Sequence, residues 1–169
     1  MAVSVAVVRR RRVPSAETQL LLSVLDQAYN RRSWHGTNLR GSIRGVSAAE
    51  AAWRPGASRH NIWELVVHAA YWKYAVWRRL SRSRRGSFAL AGSNWFRRPE
   101  VRTEQAWRAD VALLDTMHRQ LRGAVERLPV AELRRPKGAG TSALGLVAGV
   151  AAHDLYHAGQ IQLLKKLRP

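Results

Sequence analysis

The stretch WRADVALLDTMHRQLRGAVERL, residues 107–128, decides the fold class. Its Trp107, Val111, Leu114, His118, Leu121, Val125 and Leu128 recur in alternating steps of four and three. That spacing gathers side chains into one seam along an α-helix. The same steps relate Leu146, Val150, His153, His157, Gln160 and Leu164, and also Leu65, His68, Trp72 and Ala75. A shorter stripe of Leu21, Val24, Leu25 and Ala28 precedes them. Nothing alternates with period two over a useful length. The expected fold is all-α, an antiparallel four-helix bundle with long connections.

Working outward, start and stop signals bound the helices. The first is expected over about residues 16–30. Three glycines between residues 33 and 46 argue for a turn and at most a short helix. Ser47 with Glu50 is a capping-box signal for a further short turn, which Pro55-Gly56 ends. Asn61 with Glu64 repeats the signal for a long helix over about 62–80. A polar, glycine-containing connection leads to the third helix, about 103–128, which Pro129 stops. The last helix is expected over 142–167. No internal repeat and no second domain is visible, so residues 15–169 are read as one domain. Residues 1–14, MAVSVAVVRRRRVP, put four arginines after a short apolar stretch, the reverse of a secretory signal. They are read as a disordered extension outside the fold.

Composition narrows the function classes. With 46% apolar residues in 169, the chain can bury a core. The absence of Cys excludes a disulfide framework, a thiolate metal site, an Fe–S cluster and a catalytic cysteine. The longest apolar run, residues 143–152, is far short of a bilayer span. A soluble, cytoplasmic protein that does not enter a membrane is expected. The net charge is +18, and arginine supplies 25 of the 29 basic residues. Such a field concentrates polyanions, but an arginine-heavy solvated surface gives the same number. No RNP-like, finger or helix-turn-helix pattern accompanies the arginines, which argues against specific nucleic-acid binding. A homodimer is compatible with the sequence, though no exposed stripe requires one.

The seams contain histidines where apolar residues belong. His153 and His157 lie four residues apart, a helical advance of about 400° and roughly 6 Å, so both rings leave one face a turn apart. His68, on another helix, can supply a third nitrogen to the same divalent ion. Three neutral imidazoles with open positions are a catalytic type of site, because a structural zinc site is closed by four protein ligands. The alternative is three satisfied core histidines, and the chemistry alone leaves the two evenly balanced.

Two segments carry a resemblance. HNIWELVVHAAYW, residues 60–72, and AAHDLYHAGQIQLL, residues 151–164, resemble the metal-binding segments of the DinB-like (YfiT-like) superfamily. WHGTNLRGSIRGVSAAEAAWRP, residues 34–55, is similar to the Trp-rich stretch that such proteins commonly carry before the second helix. The resemblance spans about residues 16–167. It implies a DinB-like four-helix bundle with a long crossover and a three-histidine divalent-metal site at His68, His153 and His157. It also implies a reaction type only broadly. Characterised members include thiol S-transferases using bacillithiol or mycothiol and a mycothiol-dependent maleylpyruvate isomerase, and many are named metal-dependent hydrolases without a demonstrated substrate.

Several neighbours of these positions have two readings each. Glu64, a turn before His68, is either a base or partner at the metal or the acidic member of the Asn61 capping box. Asp154 either orients an imidazole from a neighbouring helix or pairs with an arginine. Gln160 is a candidate hydrogen-bond partner one turn after His157, and Trp72 a candidate pocket wall. His118 is a fourth group near the metal or, more ordinarily, a satisfied core histidine. His60 is too far from His68 to share its ion and is read as a surface residue at the helix entry. Trp34, Trp53 and Trp95 lie in connections, where they either close a pocket over the metal or, the preferred reading, cover the bundle end. Gly145 and Gly149 are read as points of close backbone packing.

Two function classes follow. One is a metal-dependent enzyme of transferase or hydrolase type acting on a small molecule, with zinc, nickel or iron. Its thiol nucleophile, if it uses one, must be a low-molecular-weight cosubstrate, since the chain has no Cys. The other is a non-catalytic basic module that contacts nucleic acid or another polyanion.

Overall fold

A computed structural model describes residues 13–137 and 140–169. Residues 1–12 of the expected extension lie outside them. The described residues form six α-helices and no strand: α1 Ala16–Tyr29, α2 Leu39–Ser42, α3 Ala48–Ala52, α4 Ile62–Ser81, α5 Glu104–Arg127 and α6 Ala143–Leu167. A single 3₁₀ turn, Val130–Glu132, follows α5. The four long helices match the expected ones to within a residue or two.

Local chemistry sets each start. The side chains of Ser15, Asn38, Ser47, Asn61, Thr103 and Ser142 each accept a hydrogen bond from a backbone N–H in the first turn of their helix. Ser47 and Glu50 form the full capping box. Asn61 forms only half of one. It takes the Glu64 N–H at 2.7 Å, but the Glu64 carboxylate turns away to Arg54.

Helix α1 packs on α5 and α6, and α4 packs on α5 and α6, so the long helices form a ring. Their directions follow from who meets whom. Trp63, near the start of α4, lies against Trp107 and Asp110, near the start of α5. Val76 and Leu80, near the end of α4, share a core cluster with Leu121 and Val125. Hence α4 and α5 run parallel. Tyr29 meets Asp115 while Asp26 meets Arg122, so α1 opposes α5. His68 meets His157 while Lys73 meets Asp154, so α6 opposes α4. The order is up, down, down, up, and the ring alternates parallel with antiparallel neighbours rather than being antiparallel throughout. Residues 82–103 carry the chain back along the bundle between the two parallel helices.

The buried stripes differ slightly from the expected seams. On α5, Asp110, Met117 and Ala124 join Trp107, Leu114 and Leu121 in the core, while Val111 is only half-buried. On α6, the stripe passes through Asp154, with no measurable exposure, and leaves His153 half-buried. Every residue from Ile62 to Ala70 on α4 is buried, as a helix covered on all sides must be. Its outer side is covered by α3 and by the returning connection. Gly145 and Gly149 do not mark close approaches: a Cβ at Gly149 would meet open space, and one at Gly145 only its own helix start.

Candidate metal centre

His68 extends from α4, and His153 and His157 extend from the facing turns of α6. The Nε2 atoms of His68 and His153 are 3.1 Å apart, and those of His157 and His153 are 3.0 Å apart. These three side chains form the sole cluster of three or more metal-capable groups among the described residues. His118 is not in it. Its ring stacks on Tyr29 at 3.8 Å in the middle of the bundle, with Asp26 3.7 Å from its Nε2.

Second contacts choose the tautomers. His68 Nδ1 lies 2.8 Å from the Asn94 carbonyl oxygen, which can only accept, so the proton is on Nδ1 and the Nε2 lone pair is bare. His157 Nδ1 lies 2.7 Å from Gln160 Oε1 and is directed the same way. His153 Nδ1 is buried without a partner. Burial favours the neutral form of all three rings. It lowers the His68 pKa against the pull of the Asn94 carbonyl, and takes His157 down to about 4 against the Gln160 hydrogen bond. At His153, burial, reinforced by the other two rings and Lys73, takes it down to about 3. The His68 and His157 lone pairs both turn toward His153 Nε2, at 3.1 and 3.0 Å. A proton on that nitrogen can bond only one of them, whereas a cation among the three nitrogens satisfies all. Ligands each about 2.0–2.1 Å from one ion have about this mutual spacing. The residues present therefore fit a divalent metal.

The returning connection completes the centre. Trp95 lies flat on His68, ring centroids 3.8 Å apart, and its other face stacks on His60 at 3.7 Å. Among the three tryptophans in connections, Trp95 thus closes over the histidine cluster, against the bundle-end reading, whereas Trp34 is almost wholly exposed and covers nothing. Trp72 stands edge-on to His68 and His153 and donates its indole N–H to the Asn94 side chain at 2.9 Å. Asn94 itself has φ of +63°, a left-handed conformation that Asn tolerates better than most residues. It supplies both a carbonyl to His68 and a side-chain oxygen to Trp72. The sequence pointed to Trp72 and Gln160 but not to Asn94, whose only advance signal is its place after Gly92 in a connection that must double back.

Glu64 does not face the three histidines. Arg54 binds it through two nitrogens at 2.8 and 2.5 Å, His60 Nδ1 lies at 3.0 Å, and the Arg98 backbone N–H donates at 3.2 Å. Burial pushes its carboxyl up, but these donors together hold it below the ordinary carboxylate range. The Arg98 carbonyl accepts from Asn61 and Arg54, and its guanidinium reaches Asp110. Glu64 thus anchors the connection that carries Asn94 and Trp95. His60 is half-exposed, as expected, but it is also one face of the Trp95 stack.

Asp154 corrects both of its readings, since its partner is neither an imidazole nor an arginine. It forms an ion pair with Lys73, and both side chains are fully buried. Burial pushes the aspartate up and the lysine down, each against the attraction of the other. Lys73 also sits over the Tyr29 ring at 4.7 Å.

The family model described as the DinB superfamily matches residues 31–161, more than three quarters of the chain. The chain belongs to the DinB superfamily. The matched span contains all three histidines and the whole connection around Asn94. Neither the curated proteins nor the solved structures compared with this DinB-like chain gave a match. No helix among the described residues is long and apolar enough to cross a membrane.

Proposed function

We propose that the protein is a metal-dependent enzyme in which His68, His153 and His157 hold one divalent ion. The observation that carries this reading is the convergence of three imidazole Nε2 atoms, two of them with tautomers fixed from behind by Asn94 and Gln160. Such an ion, when bound, polarises an electrophile or lowers the pKa of a water or thiol. The residues around it supply the rest. Asn94 and Gln160 hold two ligand rings in place, and Trp95 and Trp72 wall the site with aromatic surface that limits water. Glu64, held ionised by Arg54, keeps the connection against α4.

The reaction is placed in the thiol S-transferase or hydrolase class, with a small-molecule substrate and a cytoplasmic location. The thiol, where one is used, comes from a low-molecular-weight cosubstrate, because the chain contains no Cys. The test is a screen of thiol addition and ester or amide hydrolysis with the zinc-, nickel- and iron-loaded protein beside His153→Ala. Turnover that needs both the metal and His153 supports the enzyme. A metal-loaded protein inactive in every class, yet binding oligonucleotide with a steep salt dependence, would favour the basic module instead.

A further inference from the structure

Where residues 82–93 fold back on the end of α4 they leave a half-open groove of about 730 Å³, within the range of small-molecule sites. Its lining includes the aromatic residues Tyr71, Trp72 and Phe88, with Phe88 edge-on to Tyr71 at 5.4 Å. It also includes Arg78, Arg79 and Arg85. None of these three arginines has a carboxylate within ion-pair distance among the described residues, as is true of most arginines in this strongly basic chain. Three positive side chains lining one groove without a carboxylate among them favour an anion there. Guanidinium forks match carboxylates, sulfonates and phosphates, and the aromatic rings in the same lining suit a flat apolar body. Trp72 belongs both to this groove and to the metal centre, its ring 6.3 Å from His68 and 6.1 Å from His153.

We infer that this groove seats the anionic end of the substrate, a small molecule with a flat apolar body and a carboxylate, sulfonate or phosphate, whose reacting end lies at the three histidines. This assignment rests on the metal-centre reading, although the anion site itself does not.

The test uses 4-(trifluoromethyl)benzoate as probe, followed by fluorine NMR with the full chain. Arg78→Gln/Arg79→Gln should weaken its binding by about tenfold or more, the loss expected for charge-assisted hydrogen bonds. The charge-matched pair Arg108→Gln/Arg119→Gln, on exposed positions of α5, should leave it nearly unchanged. Thermal melts of both variants check that each folds. In cobalt-loaded protein the bound probe should relax faster than in the zinc-loaded form. Equal weakening by both pairs would show only net charge at work and overturn the inference. Arginine-dependent binding with no cobalt effect in loaded protein would detach the groove from the centre and also overturn it. A chain that binds the probe but takes up no cobalt would instead sink the metal reading, and with it the groove's role as a substrate arm.

Discussion

His157 is held by Gln160, one helical turn further along α6, through a contact of 2.7 Å at Nδ1 that leaves Nε2 facing His153. A partner behind a ligand imidazole fixes ring orientation and raises its basicity. Replacing Gln160 by Leu removes the acceptor without touching a ligand. Metal affinity should fall by about 10–100-fold, measured by competition with a chromophoric chelator, while the melting temperature of the metal-free protein stays near the parent. Unchanged affinity would show that Gln160 is only a neighbour.

The Lys73–Asp154 pair predicts an asymmetry. Lys73→Met alone leaves a buried carboxylate without its cation and should cost about 3–5 kcal/mol of stability. Lys73→Met combined with Asp154→Leu removes both charges and should recover most of that loss. Urea unfolding of the parent and the two variants decides it. Equal losses in the single and double variants would mean that the ion pair itself, rather than the stranded charge, governs the core.

His118 makes stability depend on pH. Burial takes it down to about 2, reinforced by Lys73 from α4 and by Arg122 and Arg119 on its own helix. Asp26 and Tyr29 face it from α1. In the unfolded chain it titrates near 6.5. Above that pH both states are neutral and nothing is lost. Below it the unfolded state holds one more proton, so stability falls by about 1.4 kcal/mol per pH unit from this group, until the folded value is reached. His118→Phe should flatten the pH 4–6 slope by that amount in denaturant unfolding. An unchanged slope would place the acid sensitivity elsewhere.

Glu64 separates an anchor from a proton carrier. As the anchor of residues 94–98, its replacement by Gln weakens the Arg54 and His60 contacts and should lower stability by about 1–3 kcal/mol, with metal stoichiometry retained. A Glu64→Gln protein of parental stability that binds metal but has lost turnover would return this residue to the chemistry.

Much of the framework was legible because helices announce themselves locally. The steps of four and three between Trp107 and Leu128, the Asn61 start signal and the Pro129 stop place long helices to within a residue or two. Spacing put His153 and His157 on one face of α6, and the family resemblance of the two segments joined His68 to them. Helix directions were not legible, because they depend on where residues 82–103 take the chain. Asn94 and Trp95 lie in that connection, where no periodicity says which residue lands on His68. Lys73 and Arg54 escaped notice because a partner is a tertiary fact. Nothing near Lys73 in the sequence says that Asp154, on another helix, will meet it in the core.

The most direct test of the central claim is elemental analysis of the untagged protein beside a His153→Ala/His157→Ala variant, with both checked for folded helix content. The account predicts about one zinc, nickel or iron ion per chain in the parent, or that uptake on reconstitution, and none in the variant. A folded parent that neither carries nor takes up any of these ions, or a variant that binds as much as the parent, would contradict it.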